Sequence, residues 1–333
     1  MTTSLAICYD RFGPPLQVLY EKESSLEPLQ AGEVRLKLLM ASINPSDFGM
    51  IEGTYGRLKE VFPAVAGREG VGAVVELGEG VTSVKKGDWV AMPDSSGVWQ
   101  DYSTAQAERL MHLPKDVPLE KLATSLINPP TALRLLKDFV ELVPGDWVIQ
   151  NAGNSAVGQC VVSLCKELGY KSISVVRDLG SAKMLKERGA DHVVAAESGY
   201  HKNIETLTGG EPVRLALNSV GGESAIHLVR SLSPGGTHVT FGAMTGEPVR
   251  FPTRSLIFSD VSLRGFWLDQ WIRAADKEKV MEMYDKVFTL IRSGVFNVCV
   301  DRVSPLKDTL GVLAHLVAGH EGGRGKILLR GTH

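Results

Sequence analysis

The sequence predicts an α/β protein of two modules. The first module is β-rich and mostly antiparallel or barrel-like, and the second is a doubly wound parallel sheet. A chain of 333 residues is longer than one ordinary hydrophobic core supports. The pattern also changes after Pro118, from strand-like runs separated by turns to strands that alternate with helices. That alternation begins at Trp147–Leu168, a short apolar run followed by a small-residue turn and an apolar-periodic segment.

Composition places the chain among globular proteins and narrows its partners. Hydrophobic residues make up 44% of the chain and charged residues 22%. The net charge is −2 without a basic block, which gives no reason to expect nucleic acid or an anionic membrane as a partner. No apolar run is long enough to span a bilayer. The N-terminal residues show neither a secretory signal nor an Arg-rich transit pattern, so we expect a cytoplasmic protein and leave a mitochondrial matrix origin open.

The cysteines and histidines show no metal-binding pattern, and we expect no metal. The spacing of the four cysteines fits no zinc motif, and we expect them to be buried small hydrophobic residues of a reduced intracellular protein. The eight histidines are dispersed, and a lone histidine is more often a satisfied core or surface residue than a ligand. The cysteines are Cys8, Cys160, Cys165 and Cys299.

The elements of the two modules follow from hydrophobic periodicity and turn residues. In the first module, strands are predicted at Glu33–Met40, Gly70–Leu77, Trp89–Met92 and Trp99–Ser103. Helices are predicted at Leu119–Ile127 and, after Asn128-Pro129-Pro130, at Thr131–Glu141. The six strands predicted in the second module are Val148–Gln150, Ile173–Val176, Val193–Val194, Leu215–Asn218, Thr237–Phe241 and Ser262–Gly265. Its helices are predicted at Ala156–Leu168, Ser181–Arg188 and Glu223–Leu232.

The alternation ends after Trp267. An amphipathic helix is predicted at Lys277–Arg292, followed by a strand at Phe296–Val300, a helix at Leu306–Val317 and a strand at Lys326–Leu329. Because the six strands already complete a sheet, we expect residues 267–333 to return to the first module, residues 1–122. Residues 123–266 then form the second module.

The stretch Trp147–Leu168 has the features of a dinucleotide-binding turn. Gly153 and Gly158 occupy two positions of the GxGxxG pattern, and Ser155 occupies the middle one. Small residues let the backbone approach a ligand, and the N-terminus of the following helix favours a pyrophosphate. A second strand follows that helix, as the fingerprint requires. We therefore expect a dinucleotide site here.

The end of the next strand favours NADPH over NADH. An NAD site usually carries Asp or Glu at this point to bind the ribose hydroxyls, whereas an NADP site supplies Arg. Val176 occupies the likely acidic position, and Arg177 can pair with a 2′-phosphate. Asp178 argues weakly for NAD, and Arg177 has the alternative role of a solvated charge at a strand end.

Four motifs resemble those of one enzyme family. They are INPSDFGMIEGTYG from Ile43, NAGNSAVGQ from Asn151, VVRD from Val175 and LRGFWLDQW from Leu263. Together they resemble the mitochondrial-type trans-2-enoyl thioester reductases of the medium-chain dehydrogenase/reductase superfamily. The first and last motifs are the specific ones, since quinone-reductase relatives share INPSD but rarely the GTYG and FWLxxW pair.

The resemblance implies a fold, a reaction and a set of site residues. The fold is a GroES-like catalytic domain with a Rossmann domain, and the reaction is NADPH-dependent reduction of the C2–C3 double bond of an enoyl-CoA or enoyl-carrier-protein thioester in fatty acid synthesis. Tyr55 would protonate Cα after hydride reaches Cβ, in a cleft between the modules. Cofactor contacts are implied for Asn128, Asn154, Ser155, Ala156, Val157, Arg177, Asp178, Leu179, Phe241, Gly242, Ala243, Met244, Phe266, Trp267, Leu268 and Lys326.

The residues themselves leave some roles open, but they argue against a zinc enzyme. Tyr55 has the alternative role of an aromatic that closes a Gly-flanked turn, and Trp267 and Trp271 either line an acyl pocket or pack in a core. Zinc-dependent members of the superfamily carry a Gly-His-Glu motif, whereas this chain has Arg68 in place of the His ligand. Where those members carry a cysteine ligand, this chain has Ser46-Asp47.

The sequence is also compatible with two other functions, and it predicts a homodimer. A zinc-independent NADPH:quinone oxidoreductase would share the fold and cofactor, and a non-catalytic NADPH-binding protein, like the superfamily members recruited as lens crystallins, would bind NADPH without turnover. The apolar strand Val261–Trp267 would leave an exposed sheet edge. Together with the superfamily resemblance, that edge predicts a homodimer built through the Rossmann sheet.

Overall fold

The chain forms two compact units in a computed structural model that describes residues 3–56, 61–317 and 325–332. Unit 1 consists of Met1–Leu126 with Cys299–His333, and unit 2 of Ile127–Val298. Within the described ranges, no helix combines the length and apolar character needed to cross a membrane.

The elements are numbered along the chain. The first part of unit 1 contains β1 (Thr3–Tyr9), α1 (Pro15–Val18), β2 (Tyr20–Ser25), β3 (Glu33–Ser42), α2 (Pro45–Glu52), β4 (Ala64–Val65), β5 (Glu69–Leu77), β6 (Trp89–Ala91), β7 (Tyr102–Gln106) and α3 (Leu119–Leu122). Unit 2 contains α4 (Asn128–Lys137), β8 (Trp147–Gln150), α5 (Ala156–Leu168), β9 (Lys171–Val176), α6 (Ala182–Arg188), β10 (His192–Ala195), α7 (Ile204–Thr208), β11 (Val213–Asn218), α8 (Gly222–Ser231), β12 (Thr237–Thr240), α9 (Thr253–Ser259), β13 (Ser262–Gly265), α10 (Leu268–Ala274) and α11 (Lys277–Arg292). The chain then returns to unit 1 with β14 (Val300–Pro305), α12 (Thr309–Val317) and β15 (Lys326–Arg330).

Unit 1 is β-rich and mostly antiparallel, as the sequence predicts. One sheet has the order β2-β1-β4, and a larger one has the order β14-β15-β3-β5-β6 with β7 also paired to β3. The long strand β3 is buried at seven of its ten positions and forms backbone hydrogen bonds with β5, β7 and β15. Its core side chains pack with Ile7, Tyr9 and the buried Trp99. The returning strands β14 and β15 therefore complete a sheet that the first part of the chain begins.

Unit 2 is a parallel sheet of six strands with helices between them. The strand order is β10-β9-β8-β11-β12-β13, and every pairing is parallel. Numbered within the unit, this order reads 3-2-1-4-5-6, the arrangement of dinucleotide-binding folds. The carboxyl ends of all six strands meet at one edge, where ligands of such sheets bind. The predicted α/β architecture is confirmed.

Several predicted elements are displaced. Helix α4 begins at Asn128 instead of Thr131, because proline is accepted in the first turn of a helix. The strand expected at Trp99–Ser103 lies at Tyr102–Gln106, and the one expected at Phe296–Val300 lies at Val300–Pro305. Strands β1 and β2 were not predicted; all but the first residue of β2 are exposed, so it lacks an alternating pattern.

The boundaries between the units also differ from those expected. The first lies after Leu126 instead of residue 122, and the second after Val298 instead of residue 266. Helix α11 has the predicted bounds and a buried apolar face, but it packs on α4 of unit 2. The ring of Trp271 in α10 contacts the guanidinium of Arg134 in α4, with 4.8 Å between the ring centroid and Cζ. Of residues 267–333, which were expected to return to unit 1, only those from Cys299 onward do so.

Candidate active site

The turn between β8 and α5 is built so that only glycine fits at two positions. A Cβ on Gly153 would lie 2.5 Å from Cβ of Ser174, and one on Gly158 would lie 2.5 Å from the carbonyl oxygen of Gly153. Ser155 is the N-cap of α5, and its hydroxyl accepts a hydrogen bond from the Gly158 N–H at 3.1 Å. The remaining N–H groups of the first helical turn have no intrahelical acceptor and can bind an anion. This cradle fits a pyrophosphate.

A buried network of side-chain amides supports this turn. Asn151 donates to Oδ1 of Asn218 at 2.7 Å, and its own Oδ1 accepts from the Ser219 N–H at 2.8 Å. Asn218 in turn donates to the hydroxyl of Thr240 at 3.1 Å. Strands β8, β11 and β12 are thereby linked at their carboxyl ends. This network is not among the features predicted from the sequence, although β8 and β11 each end in a polar residue after buried apolar residues.

The end of β9 presents a cation in place of a carboxylate. Val176 is 1% exposed, so its position faces the core. Arg177 is exposed and forms no ion pair with any residue in the described ranges. The carboxylate of Asp178 is engaged in its own loop, where it accepts a hydrogen bond from the Gly180 N–H at 2.9 Å. The loop therefore leaves Arg177 as the group suited to a 2′-phosphate.

The other predicted cofactor residues of unit 2 lie mainly at the same edge of the sheet. Residues 241–244 follow β12, and residues 266–268 follow β13. The Met244 N–H donates to the carbonyl of Ser219 at 3.0 Å, which ties the loop after β12 to the loop after β11. Asn128 is buried in the first turn of α4. Asn154, Ser155, Ala156 and Val157 belong to the turn and first residues of α5, and Leu179 is exposed beside Arg177.

The tryptophans of the last motif are both half-buried. Trp267 contacts the guanidinium of Arg273, with Cζ 4.7 Å from the ring centroid, and Trp271 contacts Arg134. Phe266 forms an edge-to-face pair with Phe139, with 5.9 Å between ring centroids. Trp271 therefore has a packing role within unit 2.

In unit 1, Tyr55 lies on the turn that ends α2. Gly53 takes a left-handed conformation with φ of 74°, and the Tyr55 N–H donates to the carbonyl of Gly49 at 3.1 Å. The ring is half-buried and lies against the guanidinium of Arg68, with 4.6 Å from Cζ to the ring centroid. Both residues belong to motifs that the sequence marks for separate reasons, and their contact is not predicted from the sequence.

A buried polar cluster surrounds the start of α2. The carboxylate of Glu69 accepts hydrogen bonds from the Ser42 hydroxyl, from Nδ2 of Asn44 at 2.8 Å and from the Leu126 N–H at 2.8 Å. The ammonium of Lys326 donates to the Ile43 carbonyl at 2.9 Å and to Oδ1 of Asn44. We call this set, together with Asp47, the α2 cluster. Lys326, for which the family resemblance implies a cofactor contact, is 9% exposed within this cluster.

Asp47 caps α2 from inside the α2 cluster. Its Oδ2 accepts a hydrogen bond from the Asn44 N–H at 2.6 Å, which completes a capping box. Burial raises the pKa of Asp47 to about 7, although the Asn44 N–H, Lys326 and Arg68 favour its charged form. Near neutral pH, this carboxyl is therefore close to half protonated.

The described residues were also compared with the side-chain groupings that hold metal ions. Within residues 3–56, 61–317 and 325–332, no three His, Cys, Asp or Glu side chains are grouped so as to hold a metal ion. Two histidines that the sequence treats as isolated, His201 and His227, do lie together in unit 2, with 3.0 Å between their Nδ1 atoms. Cys8, Cys160 and Cys165 are buried, and Cys299 is partly exposed.

Comparison with known proteins gives two family matches. Residues 30–115 match the alcohol dehydrogenase GroES-like domain, and residues 156–286 match the zinc-binding dehydrogenase family. The mitochondrial enoyl-acyl-carrier-protein reductase of Rattus norvegicus is 42% identical over 309 residues, which cover 91% of this chain and 83% of the rat protein.

Two solved structures are similar along nearly the whole chain. A complex of Etr1p with NADP and crotonyl-CoA has a TM-score of 0.89 at 28% identity, covering 99% of this chain and 100% of Etr1p. The quinone oxidoreductase of Escherichia coli, in complex with NADPH, has a TM-score of 0.85 at 26% identity, covering 98% and 99% of the two chains.

Because its pKa is raised in the folded state, Asp47 makes the free energy of unfolding depend on pH. Its ordinary pKa of 3.8 applies to the unfolded chain, so between about pH 4 and 7 the folded state binds more protons. The Asp47 contribution to the free energy of unfolding therefore falls as pH rises through this window. Asp47→Asn removes this dependence, and we expect the variant to gain roughly 2–4 kcal/mol relative to the parent between pH 4 and pH 8. Denaturant unfolding at both pH values measures it.

The matched control is Glu52→Gln, which removes an exposed carboxylate from the same helix. Its stability difference from the parent should change little over the same range. An Asp47→Asn difference that stays constant from pH 4 to pH 8 would contradict the role assigned to burial.

Proposed function

Because the chain belongs to the enoyl-acyl-carrier-protein reductase family of the medium-chain dehydrogenase/reductase superfamily, we propose that it reduces the C2–C3 double bond of trans-2-enoyl thioesters with NADPH. The observation that carries the proposal is the placement of Tyr55. Its phenol lies on a Gly-flanked turn, half-buried and in contact with a cation. That is a suitable setting for a proton donor.

Unit 2 supplies the binding groups for the cofactor. The glycine cradle at Gly153 and Gly158 and the N-terminus of α5 suit the pyrophosphate, and Arg177 suits the 2′-phosphate. The similarity to proteins solved with NADP and NADPH supports the same cofactor here. When bound, NADPH supplies a hydride for Cβ of the enoyl group.

Unit 1 supplies the acid. Electrons that arrive at Cβ leave negative charge on Cα and the thioester oxygen, and this enolate must be stabilised and then protonated. The Tyr55 hydroxyl donates a hydrogen bond to the enolate and then transfers its proton to Cα. The α2 cluster holds the N-cap of the helix that precedes Tyr55, so the phenol is positioned before substrate binds.

The similarity to the Escherichia coli quinone oxidoreductase favours a second candidate, reduction of quinones by the same fold and cofactor. The two candidates differ in their need for a proton donor to carbon. Parallel NADPH-consumption assays with crotonyl-CoA and with a soluble quinone separate them, and we expect crotonyl-CoA to be the preferred acceptor. NADPH binding without turnover of either acceptor would instead support a non-catalytic protein.

The compartment in which the protein works is a further proposal. The name of the rat relative includes the word mitochondrial, which supports a mitochondrial origin. A cytoplasmic location is the alternative. Subcellular fractionation of the source cells with an antibody to the chain decides between them.

Cofactor selectivity should depend on Arg177. We expect a strong preference for NADPH over NADH, and Arg177→Ala should weaken NADPH binding by about tenfold or more, since a hydrogen bond to a charged group contributes roughly 1.5–3 kcal/mol. NADH binding should stay nearly constant. Fluorescence titration with both cofactors measures the change. Arg214→Ala is the control, because Arg214 is the second residue of β11, at the amino edge of the sheet, and pairs with Asp146. Equal affinity of the parent protein for NADH and NADPH would refute the assignment.

The acid role of Tyr55 predicts a large loss in the chemical step. Tyr55→Phe should slow single-turnover NADPH oxidation with crotonyl-CoA by roughly 10²–10⁴-fold, the usual contribution of a positioned general acid. NADPH affinity should be unchanged, because only one oxygen is removed from unit 1. Tyr102→Phe, on β7, removes the same atom from another half-buried tyrosine and should keep the parent rate. A Tyr55→Phe rate within about threefold of the parent would eliminate the general-acid role.

We also propose a homodimer formed through β13. This strand ends the six-stranded sheet, and the neighbouring helix α9 exposes 39% of Leu256, 66% of Ile257 and 72% of Phe258. An unpaired strand edge beside exposed apolar side chains suits a two-fold contact. Light scattering at micromolar concentration should give a dimer mass, and Phe258→Glu should lower it towards a monomer. The control Val143→Glu adds the same charge at a 53% exposed valine elsewhere in unit 2. A monomer mass for the parent protein would exclude this assembly.

A further inference from the structure

Arg68 is an uncommon residue to find buried, because a guanidinium loses its hydration there and needs compensation. It is 9% exposed, and its guanidinium lies against the ring of Tyr55, 4.6 Å from the centroid. A cation over an aromatic face is attracted by the ring quadrupole, and the attraction is stronger when both groups are withdrawn from water. The contact therefore links a buried charge to the residue proposed as the acid.

The backbone on both sides of Arg68 is tightly held. Gly67 has φ of 89°, and a Cβ there would lie 2.2 Å from Cδ1 of the buried Trp99. Glu69 is fixed by its hydrogen bonds to Ser42, Asn44 and the Leu126 N–H. The guanidinium of Arg68 thus extends from a segment with little freedom to move.

Tyr55 is held by the same group of residues. Asn44, which donates to Oε2 of Glu69, is also the N-cap of α2, and Tyr55 follows the C-terminal end of that helix. One carboxylate therefore anchors both the strand that begins beside Arg68 and the helix that ends before Tyr55. The shared anchor therefore connects the two segments whose side chains stack.

Ionisable groups of the α2 cluster lie close to Arg68. Asp47 interacts electrostatically with Arg68, Lys326 and Glu69. Burial raises the pKa of Asp47 to about 7, which reduces the negative charge that this carboxyl places near Arg68. Lys326 and Glu69 both form hydrogen bonds with Asn44 within the same cluster.

We propose that Arg68 is a positioning residue for Tyr55, and that it also stabilises the phenolate formed when Tyr55 gives up its proton. This inference rests on the proposed function. In the step concerned, the O–H bond of Tyr55 breaks, a C–H bond forms at Cα of the enolate, and the electron pair stays on the phenolate oxygen. Water then returns a proton to that oxygen. A guanidinium against the ring lowers the energy of the phenolate, and its planar shape fixes the ring orientation.

A double-mutant cycle tests the inference. Arg68→Gln and Arg68→Lys are each made in the parent protein and in Tyr55→Phe, and single-turnover NADPH oxidation with crotonyl-CoA is measured for all six proteins. We expect Arg68→Gln to slow the chemical step by about 10–100-fold in the parent, with unchanged NADPH affinity. In Tyr55→Phe, the same substitution should have almost no further effect, because no phenol remains to act on.

Two further readouts separate this role from a merely structural one. The solvent deuterium isotope effect should rise in Arg68→Gln, because proton transfer becomes slower relative to the other steps. Arg68→Lys should recover most of the rate, since it keeps the charge and loses only the planar stack. If Arg68→Gln does not fold, Arg68→Met takes its place in the cycle with Tyr55→Phe, because methionine removes the charge and keeps an unbranched side chain that can pack against the ring. Arg35→Gln is the matched control, because Arg35 is a buried arginine of unit 1 that bonds to Thr104. The solvent deuterium isotope effect of Arg35→Gln should equal that of the parent protein.

The outcomes distinguish the two proposals. Near-normal turnover by Tyr55→Phe would refute the acid role of Tyr55 itself. A slow Tyr55→Phe combined with rate losses that multiply in the double variant would refute only the role of Arg68. An Arg68→Gln rate within about twofold of the parent would also overturn the inference.

Discussion

The buried carboxylate of Glu69 is the constraint on which the catalytic part of unit 1 depends. A carboxylate in the protein interior must be hydrogen-bonded, because an unpaired charge there is strongly destabilising. Glu69 meets this requirement with Ser42 at the end of β3, Asn44 at the cap of α2, and Leu126 after α3. Two segments that are distant in sequence, residues 42–44 and Leu126, must therefore converge on one side chain. The turn with Tyr55 and the segment with Arg68 take their positions from that convergence.

Unit 2 meets a comparable requirement with neutral groups. Asn151, Asn218 and Thr240 satisfy one another's polar atoms at the ends of three adjacent strands. Such networks rigidify a site when every member is paired. The turn around Gly153 and the loop after β12 are therefore held in place before a cofactor binds. In both units, buried and hydrogen-bonded polar side chains support a loop that contains residues of the candidate site.

The loss of zinc ligands and the presence of Arg68 belong to one change in chemistry. Zinc-dependent relatives stabilise negative charge on a substrate oxygen with a metal. In this chain, the position of a histidine ligand carries a fixed guanidinium against a tyrosine ring. In the proposed mechanism, the phenol donates the proton that a metal cannot supply, and the guanidinium, which cannot be deprotonated, stabilises the phenolate that remains. This arrangement suits a reaction that ends with protonation of carbon.

The sequence by itself determined the features that local periodicity and turn chemistry encode. It predicted the bounds of α5, α11 and β13, the alternation that makes the parallel sheet, and the turn at Gly153, because each follows from residues close together in the chain. It also marked Tyr55, Arg177 and Arg68 through short motifs. The tertiary structure alone decided which of these residues meet. Lys326 bonds to Asn44 across 282 positions and Glu69 to Leu126 across 57, and hydrogen bonds over such separations leave no periodic signal. The contact between Arg68 and Tyr55 depends on those bonds, so it emerges only when the chain is folded.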